Sequence, residues 1–244
     1  MPIETAGLSK IDALDAIPAL EPIVLAGKLQ ALTQNRMSGI AKAPVAGPWT
    51  ITPTGLAGDN QADLEHHGGP EKALLHYARD HYAAWQEEIG AHPLLDAPGA
   101  FGENLSTRGW TEARVHIGDV VSLGEVVLQV SQGRQPCWKL NFHFGRPKMA
   151  FDVQMSGRTG WYYRVLQPGV VEPGDKMRII ERPCPDWPLT RLIRLLYKDV
   201  DDREGLAAMA EIGPLAESWR QIARQRLASR CTEDWARRLY GEGR

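Results

Sequence analysis

Cys137 stands in the stretch SQGRQPCWKLNFHF, residues 131–144, with Arg134 three positions before it and Lys139 two after. A free thiol titrates near ~8.5 and persists as a thiolate at neutral pH only beside cations or a metal. Arg134 and Lys139 supply part of such a field. Together with Asn141 they could equally hold a phosphate or a polar heterocycle next to the sulfur. In an extended chain Cys137, Lys139 and Asn141 share one face, with Trp138 and Leu140 on the other. That alternation predicts sulfur and polar groups facing a site and apolar bulk facing a core. The competing reading is an inert buried thiol, because free cysteines are among the most buried residues. His143 lies six positions on in the same segment, and local geometry does not deliver it to Cys137 as the base of a cysteine hydrolase.

Two glycine-rich stretches invite ligand readings. In TPTGLAGDNQADLEHHGGPEKALLHY, residues 52–77, Gly55, Gly58, Gly68 and Gly69 allow positive φ and consecutive N–H groups aimed at an anion, with His67 directly before the pair. Two surface turns with a capping histidine account for the same residues. The stretch is neither a P-loop nor a dinucleotide fingerprint. His66, His67, His76 and His81 do not form an H-E-x-x-H pair, and His76 is expected on a strand with His81 on the next helix, which argues against zinc. In GAFGENLSTRG, residues 99–109, Glu103 and Asn104 follow Gly102 in a tight turn whose side chains bond to backbone or to ligand.

The elements that must position these residues read as mainly β with α. From PIVLAGKLQAL (22–32) to KMRIIER (176–182), short apolar runs are punctuated by glycine and proline, the texture of a barrel or sandwich. VVSL and VVLQV flank a Gly-Glu turn and predict a hairpin. Two helices interrupt the sheet: 78–90, with Tyr82, Trp85 and Ile89 at helical spacing, and 146–157, ending at Gly157. Residues 1–21 read as a lead-in and 22–182 as the β-domain. The proline-rich 183–188 reads as a stiff linker, and 189–244 as a small helical bundle. Leu192, Leu195 and Leu196 share one face there, as do Leu215, Trp219 and Ile222. So small a bundle must pack on the barrel or on a second subunit, the latter giving a homodimer. Its arginines, Arg220, Arg224, Arg226, Arg230, Arg237 and Arg238, read as a solvated helix face, with docking of an acidic electron-transfer partner or weak contact with nucleic acid as the sharper alternative.

Composition narrows the class. The chain has 244 residues, 43% hydrophobic and 24% charged, with net charge −2, so no basic field recruits nucleic acid or anionic lipid. No apolar run approaches the ~20 residues of a membrane span, and the N-terminus does not read as a signal peptide. The three cysteines, Cys137, Cys184 and Cys231, are widely spaced without C-x-x-C. That argues against a disulfide framework, an iron–sulfur cluster or a thiolate zinc site, and for a reduced, cytoplasmic setting. No flavin or dinucleotide motif is present.

GLAGD (55–59), HGGPEKALLHY (67–77), FGENLST (101–107), IGD (117–119), SQGRQPCWKLNFHF (131–144) and TGWYYRVLQPG (159–169), in this order, resemble MOSC-domain proteins of the YiiM type. In these a MOSC β-barrel is followed by a three-α domain. The likeness runs from about residue 22 onward. It implies a molybdenum cofactor, a metal held by pyranopterin dithiolene, with Cys137 as the metal-ligating and catalytic cysteine. MOSC domains are similar to the molybdenum-binding parts of cofactor sulfurases and amidoxime-reducing enzymes. YiiM-type proteins are associated with reduction of N-hydroxylated bases such as 6-hydroxylaminopurine to the amine and water. By the same resemblance, cofactor contacts fall to His67, Gly68, Gly69, Asn104, Arg134, Lys139 and Asn141. Gly58 and Asp59 stand at the edge of that set, Asp59 touching the cofactor or bracing its loop. The electrons must then come from a separate reductase. A cofactor carrier without turnover, and a sulfur carrier holding a persulfide on Cys137, use the same cysteine.

Overall fold

The computed structural model describes Leu14, residues 16–60 and residues 68–241. Thirteen strands follow in chain order: β1 (Ile23–Ala26), β2 (Gln30–Thr33), β3 (Arg36–Ser38), β4 (Ala43–Pro44), β5 (Trp49–Thr52), β6 (Gly55–Leu56), β7 (Leu74–Ala78), β8 (Leu105–Thr107), β9 (Val120–Leu123), β10 (Val126–Gly133), β11 (Trp161–Gln167), β12 (Gly169–Val171) and β13 (Arg178–Glu181). The α-helices lying wholly among the described residues are α1 (His81–Ile89), α2 (Lys139–His143), α3 (Met149–Ser156), α4 (Leu189–Tyr197), α5 (Arg203–Ala210), α6 (Glu217–Ser229) and α7 (Ala236–Tyr240).

Eight strands form one curled sheet, a half-barrel in the order β13-β9-β10-β11-β7-β8-β1-β4. All its pairings are antiparallel except β7 with β8. The expected hairpin is β9–β10, closed by Gly124 at φ 55, a conformation that suits glycine. The register of β10 against β11 shifts between Val130 and Gln132. Such a bulge bends the strand, and here it does so just before the chain leaves the sheet for Arg134 and Cys137.

The helical bundle packs directly on the sheet. A Cβ on Gly133 would come within 2.9 Å of the Trp219 ring, so the bare backbone of β10 admits that side chain. Leu192 and Ile193 of α4 and Trp219 of α6 join Val130, Trp161 and Met177 of the barrel in one buried core. The proline-rich stretch is stitched to the barrel as well: Ile117 N donates to Trp187 O at 3.0 Å and Leu189 N to Val115 O at 2.9 Å. Arg182 grips Asp119 through two bonds of 2.8 Å. A second, aromatic core lies beneath the site, where Tyr77 stacks on Phe101 at 4.0 Å and Phe144, Met149 and Leu239 close in.

His76 sits on β7, as expected, and is wholly buried between Tyr163 OH (3.1 Å from Nδ1) and Thr107 Oγ1 (2.8 Å from Nε2). Burial drives its pKa from 6.5 down to about 3. Across that window the unfolded state binds a proton that the folded state refuses. Stability should therefore fall as the pH drops from about 6.5 toward 3, by at most about 1.4 kcal/mol per unit from this residue. Melting temperatures measured against pH should show the slope, and His76→Gln should flatten it. An unchanged slope in the variant would assign the proton uptake elsewhere.

Candidate functional site

Beyond Gly133 the chain runs irregularly through Arg134 to Cys137 and then turns into α2. Leu140 N bonds to Cys137 O at 3.0 Å and Asn141 N to Trp138 O at 2.9 Å, so residues 137–141 form a helical turn. The extended alternation expected here is therefore wrong. Leu140 and Phe144, four apart, face the aromatic core, while Phe142 is 55% exposed, the pattern of a helix face. Cys137 and Lys139 still meet on one wall of a cleft. Asn141 turns away from it. Its Nδ2 donates to Leu239 O at 2.7 Å and its Oδ1 accepts from Ala150 N at 2.8 Å, a structural latch between α2, α3 and α7.

The cleft holds about 550 Å³ of empty space with its open mouth counted. Arg134, Cys137, Lys139, Tyr162, Lys42 and Asn104 are among the residues that line it. Among the described residues no carboxylate faces it. Arg134 is only 6% exposed, and its Nη1 has no hydrogen-bond partner among the described residues. An unsatisfied buried guanidinium nitrogen is costly, and an incoming anion or acceptor relieves it. Cys137 is itself only 9% exposed. Burial holds the Tyr162 phenol above its ordinary value, with Arg134 opposing and Cys137 adding to the shift, so Tyr162 keeps its proton at neutral pH. His143 does not line the cleft. Burial, then Arg134 and His92, push its pKa down to about 4, so it stays neutral at neutral pH.

The part of the lining built by Lys42 and Asn104 is held by Asp59. Its Oδ1 accepts from Gly27 N at 2.8 Å, and its Oδ2 accepts from Asn104 Nδ2 at 2.8 Å and from Lys42 Nζ. Burial lowers the Lys42 pKa, and Asp59 opposes that shift. Asn104 is committed to the scaffold too, accepting from Leu75 N at 3.2 Å and donating to Leu25 O at 3.3 Å. Asp59 thus braces the loop, and Asn104 both braces and lines. Glu103, wholly buried, accepts from Gly99 N and Tyr82 OH at 2.8 Å and from Phe101 N at 3.0 Å, fixing the loop that brings Phe101 and Gly102 to the wall.

Gly58, Gly68 and Gly69 do not line the cleft. Gly69, at φ 91, starts the short 3-10 turn Pro70–Lys72. His67, like His66, lies outside the described residues. Lys42 and Tyr162 carried no local signal as site residues. Lys42 is a lone lysine whose partner is 17 positions away, and Tyr162 lay unremarked within TGWYYRV. The arginine-rich run is not a free stripe. Arg220 and Arg224 pair with Glu217 at 2.7 and 2.8 Å, and buried Arg226 pairs with Glu233 at 2.7 Å.

Replacing Asp59 with alanine strands the buried Lys42 charge and should lower stability by about 3–5 kcal/mol in equilibrium denaturation. Lys42→Met in the same chain should recover part of that loss. A double variant as unstable as the two single losses added together would refute the coupling.

The MOSC domain pattern matches residues 63–178, and the YiiM-like, 3-alpha helix domain pattern matches residues 187–230. The chain is 38% identical over 219 residues to Protein YiiM of Escherichia coli (strain K12), an alignment spanning 90% of this chain and 97% of that one. It is 37% identical over 234 residues to a protein of Gibberella moniliformis named "Reductase", spanning 92% of this chain and 41% of that longer one. The crystal structure of YiiM from Escherichia coli matches with a TM-score of 0.79 at 33% identity, over 92% of this chain and 100% of that one. With 38% identity to Protein YiiM over nearly the full length of both chains, and with the two domain patterns in sequence order, the protein belongs to the MOSC-domain proteins of the YiiM type.

Proposed function

We propose that this chain is a molybdenum cofactor-dependent reductase of N-hydroxylated compounds such as 6-hydroxylaminopurine, with electrons delivered by a separate reductase. The observation that carries the reading is Arg134, a buried guanidinium with a nitrogen that has no partner among the described residues, lining the same cleft as the Cys137 thiol, a cleft that no described carboxylate faces. The donor set fits the cofactor. A soft sulfur suits a metal also held by dithiolene sulfurs, and the cationic wall suits the phosphate and polar edge of a pterin. Cys137 would hold the metal, and Arg134 and Lys139 the anionic end. Lys42, already paired with Asp59, contributes less field. Tyr162 keeps an O–H on the Cys137 wall as a donor to bound ligand. When bound, the cofactor supplies a two-electron centre for the overall change R–NHOH + 2e⁻ + 2H⁺ → R–NH₂ + H₂O. The name of the fungal relative is consistent with a reductase.

The chain should be purified from a host that makes the cofactor, its molybdenum measured per chain, and 6-hydroxylaminopurine reduction followed with an artificial donor. Bound molybdenum and turnover in the wild type, both lost in Cys137→Ser, would support the proposal. Robust turnover by Cys137→Ser would sink the sulfur as ligand. A molybdenum-replete wild type that leaves the substrate untouched would favour a carrier. Arg134→Ala should weaken cofactor retention about 10–100-fold while leaving the fold intact, the loss expected for one charge-assisted hydrogen bond. Retention equal to wild type would remove Arg134 from the site.

A further inference from the structure

Residues 134–137 belong to no strand or helix, and a proline stands immediately before the cysteine. A segment of this kind does not hold a side chain in place by its own backbone bonds. Helix α7 supplies what is missing. Arg238 Nη1 donates to Pro136 O, the carbonyl of the peptide that ends at Cys137 N. On the other side of the cysteine, Trp138 N donates to Arg238 O at 2.8 Å. One residue of α7 therefore grips both peptides that flank Cys137.

The grip is itself anchored. Arg238 Nη2 donates to Gln154 Oε1 at 2.7 Å, and Gln154 is wholly buried on α3. Next to Arg238, Leu239 is buried in the aromatic core and accepts from Asn141 Nδ2 at 2.7 Å. The guanidinium also lies 5.9 Å from the Tyr197 ring of α4. Planar and with several donors in a fixed fork, arginine can serve two acceptors at once, which a lysine cannot do with the same rigidity.

We propose that Arg238 is a positioning residue for the Cys137 thiol: by fixing the peptides on either side, it holds the sulfur on the cleft wall and keeps it shielded. The functional weight of this inference rests on the reading of Cys137 as the cofactor-binding sulfur. Its test reads the thiol itself.

The full-length chain, made in a host that lacks the cofactor and carrying Cys184→Ser and Cys231→Ser, leaves Cys137 as its single thiol. Alkylation by iodoacetamide at fixed pH, followed by mass spectrometry, reports how far that thiol is shielded. Arg238→Ala should raise the rate about ten-fold, as expected when losing the charge-assisted hydrogen bond to Pro136 O eases local opening. Gln154→Leu, which removes only the anchor, should raise it less. Arg238→Lys, which can reach one of the two acceptors, should restore only part of the shielding. Arg182→Ala breaks the pair with buried Asp119 on the barrel, and should lower the melting temperature without changing the alkylation rate. An Arg238→Ala rate equal to the parent's would overturn the proposal, as would an Arg182→Ala increase of the same size. If Arg238→Ala does not fold, the lesser variants decide, and a parental rate in Gln154→Leu overturns the clamp. In a cofactor-making host, molybdenum per chain should fall in Arg238→Ala. A wild type that binds no molybdenum would defeat the proposed function and leave the alkylation result standing.

Discussion

Asp59 carries a buried negative charge, and three segments distant in sequence converge to satisfy it. The Gly27 amide follows β1, Lys42 precedes β4, and Asn104 precedes β8. Through Asn104 the connection continues to Leu75 on β7 and Leu25 on β1, so one carboxylate is bonded, directly or at one remove, to four parts of the curled sheet. A buried charge is tolerated only when its partners are all in place. The requirement falls where β7 and β8 run parallel, and the side chain of Asn104 supplements their backbone bonds. One wall of the cleft exists because this network is complete.

Two cations that line the cleft are treated differently. Lys42 is neutralised within the protein by Asp59, and its pKa is lowered because burial outweighs that partner. Arg134 has a nitrogen without a partner among the described residues, although it is as deeply buried. Burying an unsatisfied guanidinium nitrogen is costly, and an acceptor entering the cleft would offset that cost. Glu103 and the stacked Tyr77–Phe101 pair give that arrangement a rigid floor.

Where neighbours in sequence are neighbours in space, the chain was readable. The β9–β10 hairpin followed from alternation around Gly124, and the buried face of α4 from Leu192, Leu195 and Leu196. The Cys137 segment was misread because a five-residue window fits period two almost as well as a helical turn. Only Phe144, on the same face as Leu140, breaks the tie. Lys42 with Asp59 and Arg226 with Glu233 are pairings made by tertiary structure, and nothing local marks them. The arginines illustrate this most directly: in sequence they resemble a charged face, whereas several are bound to carboxylates of their own chain.

The bond from Arg238 to Pro136 spans 102 positions of sequence. A ribosome making this chain releases the cysteine segment long before it makes the helix that grips it. The sheet and its aromatic floor can form during that interval, but the wall bearing the sulfur is finished only when α7 emerges. Order of synthesis therefore makes the Cys137 segment the last part of the cleft to mature, after the strands that frame it have already been made.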